Sequence, residues 1–337
     1  MTGLIDLPMI WAFIIAFAVF VYVVMDGFDL GLGILFPLFP KKTDRDVIMN
    51  SVAPVWDGNE TWLVLGGGGL MAAFPLAYAV VMPAIYTPII GMLIGLVFRG
   101  VAFEFRWRVD QSKRNHWDVA FTGGSLLAAL AQGIALGAIL QGVHVEARHY
   151  AGGWWDWLTP FSILTGLALV VGYALLGATW LVLKTEGELR DKAYHLAWWL
   201  LFAMLGAIGA VSIATPFLSI EYAQRWFTWP NVIFTAPVPI AVAGVTVLLL
   251  RSLANKQDNR PFFLSLALFA LSYAGLGISM WPYIVPQSIT IWQAAAPRSS
   301  QIFMLVGVAI LIPLILGYTS WAYYVFRGKV RPESGYH

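Results

Sequence analysis

The chain of 337 residues contains no cysteine, and only 11% of its residues are charged. Without cysteine there is no disulfide framework, no thiolate metal site and no cysteine-bound iron–sulfur cluster. The low charge accompanies a hydrophobic share of 59% and a mean hydropathy of +0.74. A soluble globular protein of this length could not bury so much apolar surface, whereas a polytopic membrane protein has no need to. The net charge of +2 does not indicate nucleic-acid binding.

Histidine is scarce and poorly placed for a buried cofactor. The five histidines are His116, His144, His149, His195 and His337, and each falls in a loop, at the end of an apolar run or in the tail. A b-type haem at mid-membrane is usually held by histidine or methionine inside a span. The sequence therefore predicts that this chain cannot ligate a haem by itself and that it has no metal site.

What the chain does have is nine apolar runs, each near the roughly 20 residues that a helix needs to cross a bilayer. They cover 8–36, 51–77, 79–103, 118–141, 160–183, 194–215, 231–250, 262–282 and 302–326. The first run has no basic n-region before it and is too long for a signal peptide, so it reads as a retained span. The pattern predicts an all-α, polytopic protein with nine transmembrane helices in a single membrane domain over 1–337.

Lysine and arginine predict the orientation of these spans. Seventeen of the twenty lie in the connections after the first, third, fifth and seventh runs and in the carboxyl tail; the others are Arg148, Arg225 and Arg298. The positive-inside rule places the basic connections in the cytoplasm. The amino terminus is then expected outside and the carboxyl terminus inside, in agreement with an odd number of spans.

Carboxylates are concentrated in the first third of the chain. The second run includes WDGNETW from residue 56, which puts Asp57 and Glu60 three residues apart on one helix face. Asp26 and Asp29 share a face of the first run in the same way. Because a carboxylate inside a bilayer costs about 2.5 to 3.5 kcal/mol on insertion scales, it needs a partner, water or a proton.

A basic partner for these carboxylates is expected in the third run. Arg99 lies at the predicted depth of Asp29, Asp57 and Asp118, and we expect Asp29 or Asp118, on neighbouring helices, to hold it. Two uses of the acidic cluster, which includes Glu104, stay open: structural ion pairing, or a hydrated path by which protons enter. The path is favoured because bases are too few to neutralise every carboxylate, and Asp57, the deepest on its span, is its first candidate.

Glycines mark the sites of close helix packing. Gly27 with Gly31, and Gly133 with Gly137, form small-xxx-small steps that let a neighbouring helix approach. The four glycines at 66–69 resemble a nucleotide-binding loop only superficially, because no Lys-Ser/Thr follows them and they lie inside an apolar run. Close helix packing is the predicted role of this run too.

Three stretches carry a resemblance to a known family. They are DGFDLG from Asp26, NSVAPVWDGNETW from Asn50 and FRGVAFEFR from Phe98. Three long motifs in this order, on the expected spans, resemble subunit II of the cytochrome bd-type quinol oxidases. The short later loops are similar to those of the cyanide-insensitive branch.

The resemblance implies two four-helix bundles plus a peripheral helix: a first bundle over 1–141 with the carboxylate cluster, and a second bundle with the peripheral helix over 160–326. It implies a heterodimer with a haem-bearing subunit I, which holds two b-type haems and haem d and oxidises quinol as oxygen is reduced to water. It also implies a bacterial cytoplasmic (inner) membrane, with a bound ubiquinone and a small single-span subunit as candidate further components.

The motif positions imply roles for individual residues. Asp57 and Asp26 would deliver protons from the cytoplasm, with Glu60 as a further candidate. Asp29, Arg99 and Asp118, together with Glu104, would form a charge set that stabilises packing near the haems.

Two other functions stay open at this point. A proton-coupled secondary transporter also needs membrane carboxylates, but it is expected to build a mid-membrane site from broken helices in both halves. Here the ionisable residues crowd one end of one half. A purely structural assembly subunit would need the same charge pairs without any proton traffic.

Overall fold

The computed structural model describes residues 6–330 of the chain. Its α-helices are α1 Leu7–Leu35, α2 Lys42–Asn50, α3 Trp56–Ala73, α4 Pro75–Ala84, α5 Tyr86–Arg108, α6 Arg114–Leu140, α7 Pro160–Lys184, α8 Gly187–Ala214, α9 Ile220–Phe227, α10 Asn231–Thr235, α11 Pro237–Ala254, α12 Arg260–Met280, α13 Ile291–Ala294 and α14 Arg298–Val325. Two small antiparallel hairpins pair β1 Val145–Glu146 with β2 His149–Tyr150, and β3 Tyr283–Val285 with β4 Ile289–Thr290. The predicted helical, polytopic class is confirmed.

Eight segments of the described chain are long and apolar enough to cross a membrane. They correspond to the predicted runs one and three to nine. The second run contains α3, whose 18 residues reach about 27 Å at 1.5 Å per residue. Its first two turns carry Asp57, Asn59 and Glu60, which lower its hydropathy below that of the other eight.

The largest departure from the predicted spans lies between α3 and α5. The predicted runs 51–77 and 79–103 leave room only for a short turn between them, but the chain forms the separate helix α4 there, and α5 begins only at Tyr86. Phe74, with φ −133° and ψ 63°, breaks the helix because a residue before proline is disfavoured in the α region. Pro75 then starts α4 at a position where no amide hydrogen is needed.

Helices α1 and α7 are the centre of the packing. Helix α1 contacts α3, α6 and α7, while α7 also contacts α6, α8 and α12. A Cβ on Gly31 would overlap the carbonyl oxygen of Tyr173, and a Cβ on Gly27 would lie 2.6 Å from the Tyr173 ring. A Cβ on Gly133 would lie 2.5 Å from Thr165 O on α7. Both small-xxx-small steps therefore lie at close helix contacts, as predicted, and the structure shows that the neighbouring helix is α7 in both cases.

The glycines at 66–69 divide between two environments. A Cβ on Gly66 would lie 3.1 Å from Val19 and one on Gly69 would lie 3.3 Å from Ile15, both on α1. Gly67 and Gly68 have nothing within 4 Å and are exposed. The predicted close packing thus applies to half of this run within the described chain.

One continuous core joins the two halves of the sequence, since buried residues of α1, α5, α6, α7, α8, α11 and α12 form a single cluster. The division into a bundle over 1–141 and a second bundle over 160–326 stays a prediction.

Helix α14 is peripheral, because Gln301 is its one buried residue. It is held near one end by Trp11, which donates to Gln301 O at 3.1 Å, and near the other by Tyr323, which donates to Asn59 at 2.9 Å.

Contacts between connections define two ends of the helix bundle. At the charged end, Lys41 pairs with Glu188 at 2.5 Å, and Lys329 pairs with Asp258 at 2.9 Å. Although burial opposes it, hydrogen bonds from Lys329 and Tyr194 hold the pKa of Asp258 below its ordinary value. At the opposite, hairpin end, α4 contacts β2, β3 and α13. The basic connections predicted to share one side therefore do come together.

Gly31→Ala should destabilise the protein, because the added methyl group must push α1 and α7 apart at a backbone contact. Overpacking of this kind costs about 1 to 3 kcal/mol. Gly206→Ala on α8 is the matched control, since a Cβ there meets nothing within 4 Å and alanine favours a helix interior by up to about 1 kcal/mol. Thermal unfolding in detergent should show a lower midpoint for the first variant alone; equal midpoints would contradict the packing.

A buried carboxylate cluster as the candidate functional site

Arg99 on α5 is the centre of the site. Its side chain is fully buried, and its Nη1 lies 2.5 Å from Oδ1 of Asp26 on α1. Its Nη2 pairs with Oε1 of Glu60 on α3. The guanidinium also lies over the ring of Trp56, 5.8 Å from the ring centroid. One arginine thus joins three helices inside the bundle.

The second aspartate of α1 is held by an amide rather than by a cation. Asn59 Nδ2 donates to Asp29 Oδ2 at 2.8 Å and makes a longer contact of 3.4 Å with the carbonyl oxygen of Met25. Tyr323 on α14 donates to Asn59 Oδ1 at 2.9 Å. Asp29 is buried, and it interacts with Arg99 only through space.

A further polar chain reaches the cluster from α6 and α7. Tyr173 donates to Gln132 Oε1 at 2.7 Å, and Gln132 Nε2 donates to the hydroxyl oxygen of Tyr22 at 2.8 Å. Tyr22 lies one turn before Asp26 on α1 and interacts with its carboxylate. Gly27 makes this approach geometrically feasible, because any side chain there would collide with the Tyr173 ring.

The arrangement leaves more negative than positive charge inside the bundle. Asp26, Asp29 and Glu60 surround a single guanidinium, and like charges at short range disfavour ionisation of all of them. Three carboxylates around one cation therefore favour the uptake of a proton over full ionisation. The only member of the three with an appreciable opening is Glu60, whose side chain is 29% exposed, whereas that of Asp26 is 1% exposed.

Asp57 lies outside this cluster, on the exposed face of α3. It occupies the first turn of the helix rather than the depth expected from the sequence, because α2 and the turn at 51–55 take up the start of the second run. Its carboxylate pairs with no cation among residues 6–330. It influences the cluster through space, since its charge acts on Glu60 one turn away.

Asp118 does not hold Arg99, and neither does Asp29, contrary to the sequence-based expectation. Asp118 lies in the first turns of α6, where it accepts from Arg45 at 2.9 Å and from Arg106 at 2.6 Å. Arg106 lies seven residues after Arg99 on α5, so the two arginines are about 10 Å apart along the helix axis. The predicted membrane depth of these residues did not identify the partner of Arg99. Residues at the same depth can face different sides of their helices, and depth alone does not say which side each one faces.

Glu104 is not brought to the cluster either. It pairs with Arg108, four residues further along α5, at 3.3 Å, and both side chains are more than half exposed. The residues that sequence reasoning missed are Tyr22, Gln132 and Tyr173. Tyr22 carried a signal, since it stands four residues before Asp26, but nothing local linked it to polar groups on two other helices.

The described residues supply no evident ligand set for a haem or a metal ion. The histidines at positions 116, 144, 149 and 195 are all exposed, and His337 lies outside the described residues. Within 6–330 no three histidine, cysteine or acidic side chains are grouped so that they could hold a metal ion. No histidine of residues 6–330 is buried inside a span, which is the position from which histidine usually holds a b-type haem.

Fold and site together define a multi-pass α-helical membrane protein with a buried cluster of carboxylates around one arginine. The family model for cytochrome bd terminal oxidase subunit II matches residues 7–326. Cytochrome bd-I ubiquinol oxidase subunit 2 of Escherichia coli (strain K12) is 31% identical, with 97% of this chain and 96% of that protein covered. Cytochrome bd ubiquinol oxidase subunit 2 of Bacillus subtilis (strain 168) is 30% identical, with coverage of 95% and 96%.

The chain belongs to the family of cytochrome bd terminal oxidase subunit II. It is therefore a subunit of a terminal quinol oxidase, an oxidoreductase complex, as its three motifs predicted. The solved structure of bd oxidase from Geobacillus thermodenitrificans contains a chain with the same fold, at a TM-score of 0.76 and 18% identity, covering 95% of this chain and 99% of that one. The comparisons give no support to a secondary transporter.

Arg99→Ala should lower the stability of the complex, because it leaves the buried carboxylate of Asp26 without its cation. Breaking a buried ion pair from one side costs about 3 to 5 kcal/mol. Arg108→Ala, on the same helix, removes an exposed pair and should cost less than about 0.5 kcal/mol. The measurement is the midpoint of thermal unfolding of the purified complex.

A second variant separates the charge effect from a packing effect. Arg99→Met combined with Asp26→Asn removes both charges and should recover part of the midpoint lost in Arg99→Ala. Equal midpoints for Arg99→Ala and Arg108→Ala would show that the buried pair does not carry the stability assigned to it.

Proposed function

We propose that this chain is the non-haem-ligating subunit of its oxidase and that it admits the protons consumed when oxygen is reduced to water. The observation that carries the proposal is the excess of carboxylates around Arg99, with Glu60 partly open and Asp57 exposed beside it on α3. Asp57, Glu60 and Asp26 then form a path that begins at the charged end. Asp29, Arg99 and Asp118 fix the positions of their helices relative to one another.

The exposed face of α3 is the surface proposed to meet the haem-bearing subunit I. It presents Asp57, Val64 with 74% exposure, and the unobstructed glycines Gly67 and Gly68. An ionised carboxylate facing lipid is expensive, so this face favours a covering of protein and water. Bare glycines allow a partner helix to approach closely.

The haems are proposed to lie in the partner, as two b-type haems and haem d, because none of the histidines within residues 6–330 is buried. When bound there, they supply electron transfer and oxygen reduction. This chain's residues supply a different part of the reaction. A proton taken up at Glu60 neutralises its carboxylate and weakens its hold on Nη2 of Arg99, while Asp26 keeps Nη1.

The relatives suggest the reductant, since those from Escherichia coli and Bacillus subtilis are both named as ubiquinol oxidases. Ubiquinol is therefore the proposed electron donor, with a bound ubiquinone and a small single-span subunit as proposed further components. The proposed location is the bacterial inner membrane. The charged end would face the cytoplasm and the hairpin end the periplasm, in agreement with the distribution of lysine and arginine.

Asp57→Asn and Glu60→Gln should each slow oxygen consumption by the purified two-subunit oxidase by at least about tenfold, while the visible haem spectrum stays unchanged. Loss of a positioned proton carrier typically costs about 10² to 10⁴ in rate, and water can bypass part of this loss. Glu104→Gln is the control, because Glu104 is exposed and pairs only with Arg108. Oxygen uptake with quinol in excess gives the rates.

The same variants distinguish a proton path from a purely structural subunit. If all three variants turn over at the parental rate with full haem content, the carboxylates serve assembly alone. If Glu60→Gln loses haem as well as activity, the loss reflects assembly and the proton role of Glu60 is not supported.

Single-cysteine variants should establish the orientation, because the chain has no cysteine of its own. Ala147→Cys in the β1–β2 hairpin should react with a membrane-impermeant thiol reagent added to intact cells from which the outer membrane barrier has been removed. Asp44→Cys on α2 should react only after the inner membrane is opened. The reverse pattern would contradict the proposed orientation.

A further inference from the structure

A cleft opens at the hairpin end of the bundle, far from the carboxylate cluster along the helices. Its volume is about 150 Å³, and it lies between the start of α5 and the segment that runs from β2 to α7. Four of its lining residues are aromatic, namely Tyr86 at the start of α5, and Tyr150, Trp154 and Trp157 in the other segment. None of the four belongs to the proposed proton path.

The aromatic rings of the cleft suit a cation. Tyr86 and Trp154 come from separate parts of the chain, and their ring centroids lie 5.9 Å apart, with the ring planes at 59° to each other. Tyr86 is 52% exposed and Trp154 is 62% exposed, so a ligand can reach both rings. The face of an aromatic ring attracts an ammonium or guanidinium group that lies within about 6 Å of its centroid.

A carboxylate lies beside these rings. Oδ2 of Asp156 accepts from the backbone amide of Gly153 at 2.8 Å and from the hydroxyl of Tyr150 at 3.1 Å. Oδ1 lies against Gly153, a residue of the cleft wall, since a Cβ built on that glycine would lie 3.1 Å from it. Within residues 6–330, Oδ1 accepts no hydrogen bond and no cation pairs with Asp156. Oδ1 is therefore an acceptor that a bound cation can use.

The phenol next to this carboxylate adds no charge of its own. Burial, together with the hydrogen bond to Asp156, raises the pKa of Tyr150 to about 12. The hydroxyl of Tyr150 therefore stays neutral at physiological pH. The carboxylate of Asp156 then gives this wall of the cleft a negative charge, which favours a cationic ligand and disfavours an anionic one.

A row of apolar side chains continues from the cleft along α5. Ile90, Leu93, Ile94 and Val97 are between 38% and 63% exposed, and their spacing from Tyr86 places all five residues on one helix face. From Tyr86 to Val97 the helix rises about 16 Å. This rise is close to half of the roughly 30 Å hydrocarbon core of a bilayer, which is the depth of one leaflet. A molecule with its headgroup in the cleft can thus lay an acyl chain along α5.

We propose that the cleft binds the primary ammonium group of a zwitterionic phospholipid, a phosphatidylethanolamine, from the membrane leaflet at the hairpin end. The ammonium group donates to Oδ1 of Asp156 and contacts the rings of Tyr86 and Trp154, while one acyl chain follows the apolar row on α5. A quaternary ammonium group cannot donate to Oδ1, so phosphatidylcholine should bind more weakly. The site is independent of the proposed proton path.

The test is native mass spectrometry of the purified two-subunit oxidase, first depleted of lipid in detergent and then offered phosphatidylethanolamine, phosphatidylcholine or phosphatidylglycerol with identical acyl chains. Asp156→Asn and Trp154→Ala should each bind one phosphatidylethanolamine fewer than the parental complex. Asparagine can still accept from the amide of Gly153, so the loop keeps its turn. Trp155→Ala is the matched control and should bind the parental number, because Trp155 is 64% exposed in the same loop but does not line the cleft.

The proposal is overturned if both cleft variants bind the parental number of phosphatidylethanolamine molecules, or if Trp155→Ala loses as many as they do. It is also overturned if phosphatidylglycerol or phosphatidylcholine binds the parental complex as well as phosphatidylethanolamine does. A further arm adds O-phosphoethanolamine, which has the same headgroup without acyl chains, at the concentration of the lipid. The lipid should stay bound; its displacement would assign the cleft to a soluble amine and reject the lipid site.

Discussion

A fully buried guanidinium inside a membrane protein constrains everything around it. Arg99 is stable there only because Asp26 and Glu60 reach it from two other helices, which fixes the mutual positions of α1, α3 and α5. Three carboxylates for one arginine exceed what neutrality needs. The same contact that holds these helices together therefore leaves an excess of carboxylates, so the stability of the bundle and the proposed proton uptake depend on one set of charges.

Close packing makes this charge cluster possible. Helix α7 approaches α1 because Gly27 and Gly31 carry no side chain, and that approach brings Tyr173 beside the carboxylates. The charged end is tied separately, where Asp118 accepts from Arg45 and Arg106. The bundle thus has ion pairs at its charged end and a nearly sealed interior cluster, and Glu60 on the exposed face of α3 is the most open member of that cluster.

The sequence predicted the features that depend on composition and spacing. Apolar run lengths identified eight candidate spans of the described chain, glycine spacing identified the faces of α1 and α6 that a neighbouring helix approaches, and three motifs identified the family. It did not predict ion-pair partners, because membrane depth can be counted along a helix but the facing direction is set by packing. Asp118 and Arg99 illustrate this. Gln132 and Tyr173 were missed for a related reason: their partners lie far away in sequence and meet only in the folded bundle.

The most direct test of the account is an experimental density map of the two-subunit complex in which ordered water is visible. The account predicts that Asp57 faces the haem-bearing partner and that water joins the charged end to the open side of Glu60. A map with Asp57 against lipid, or with Glu60 sealed from water by protein on every side, would contradict it.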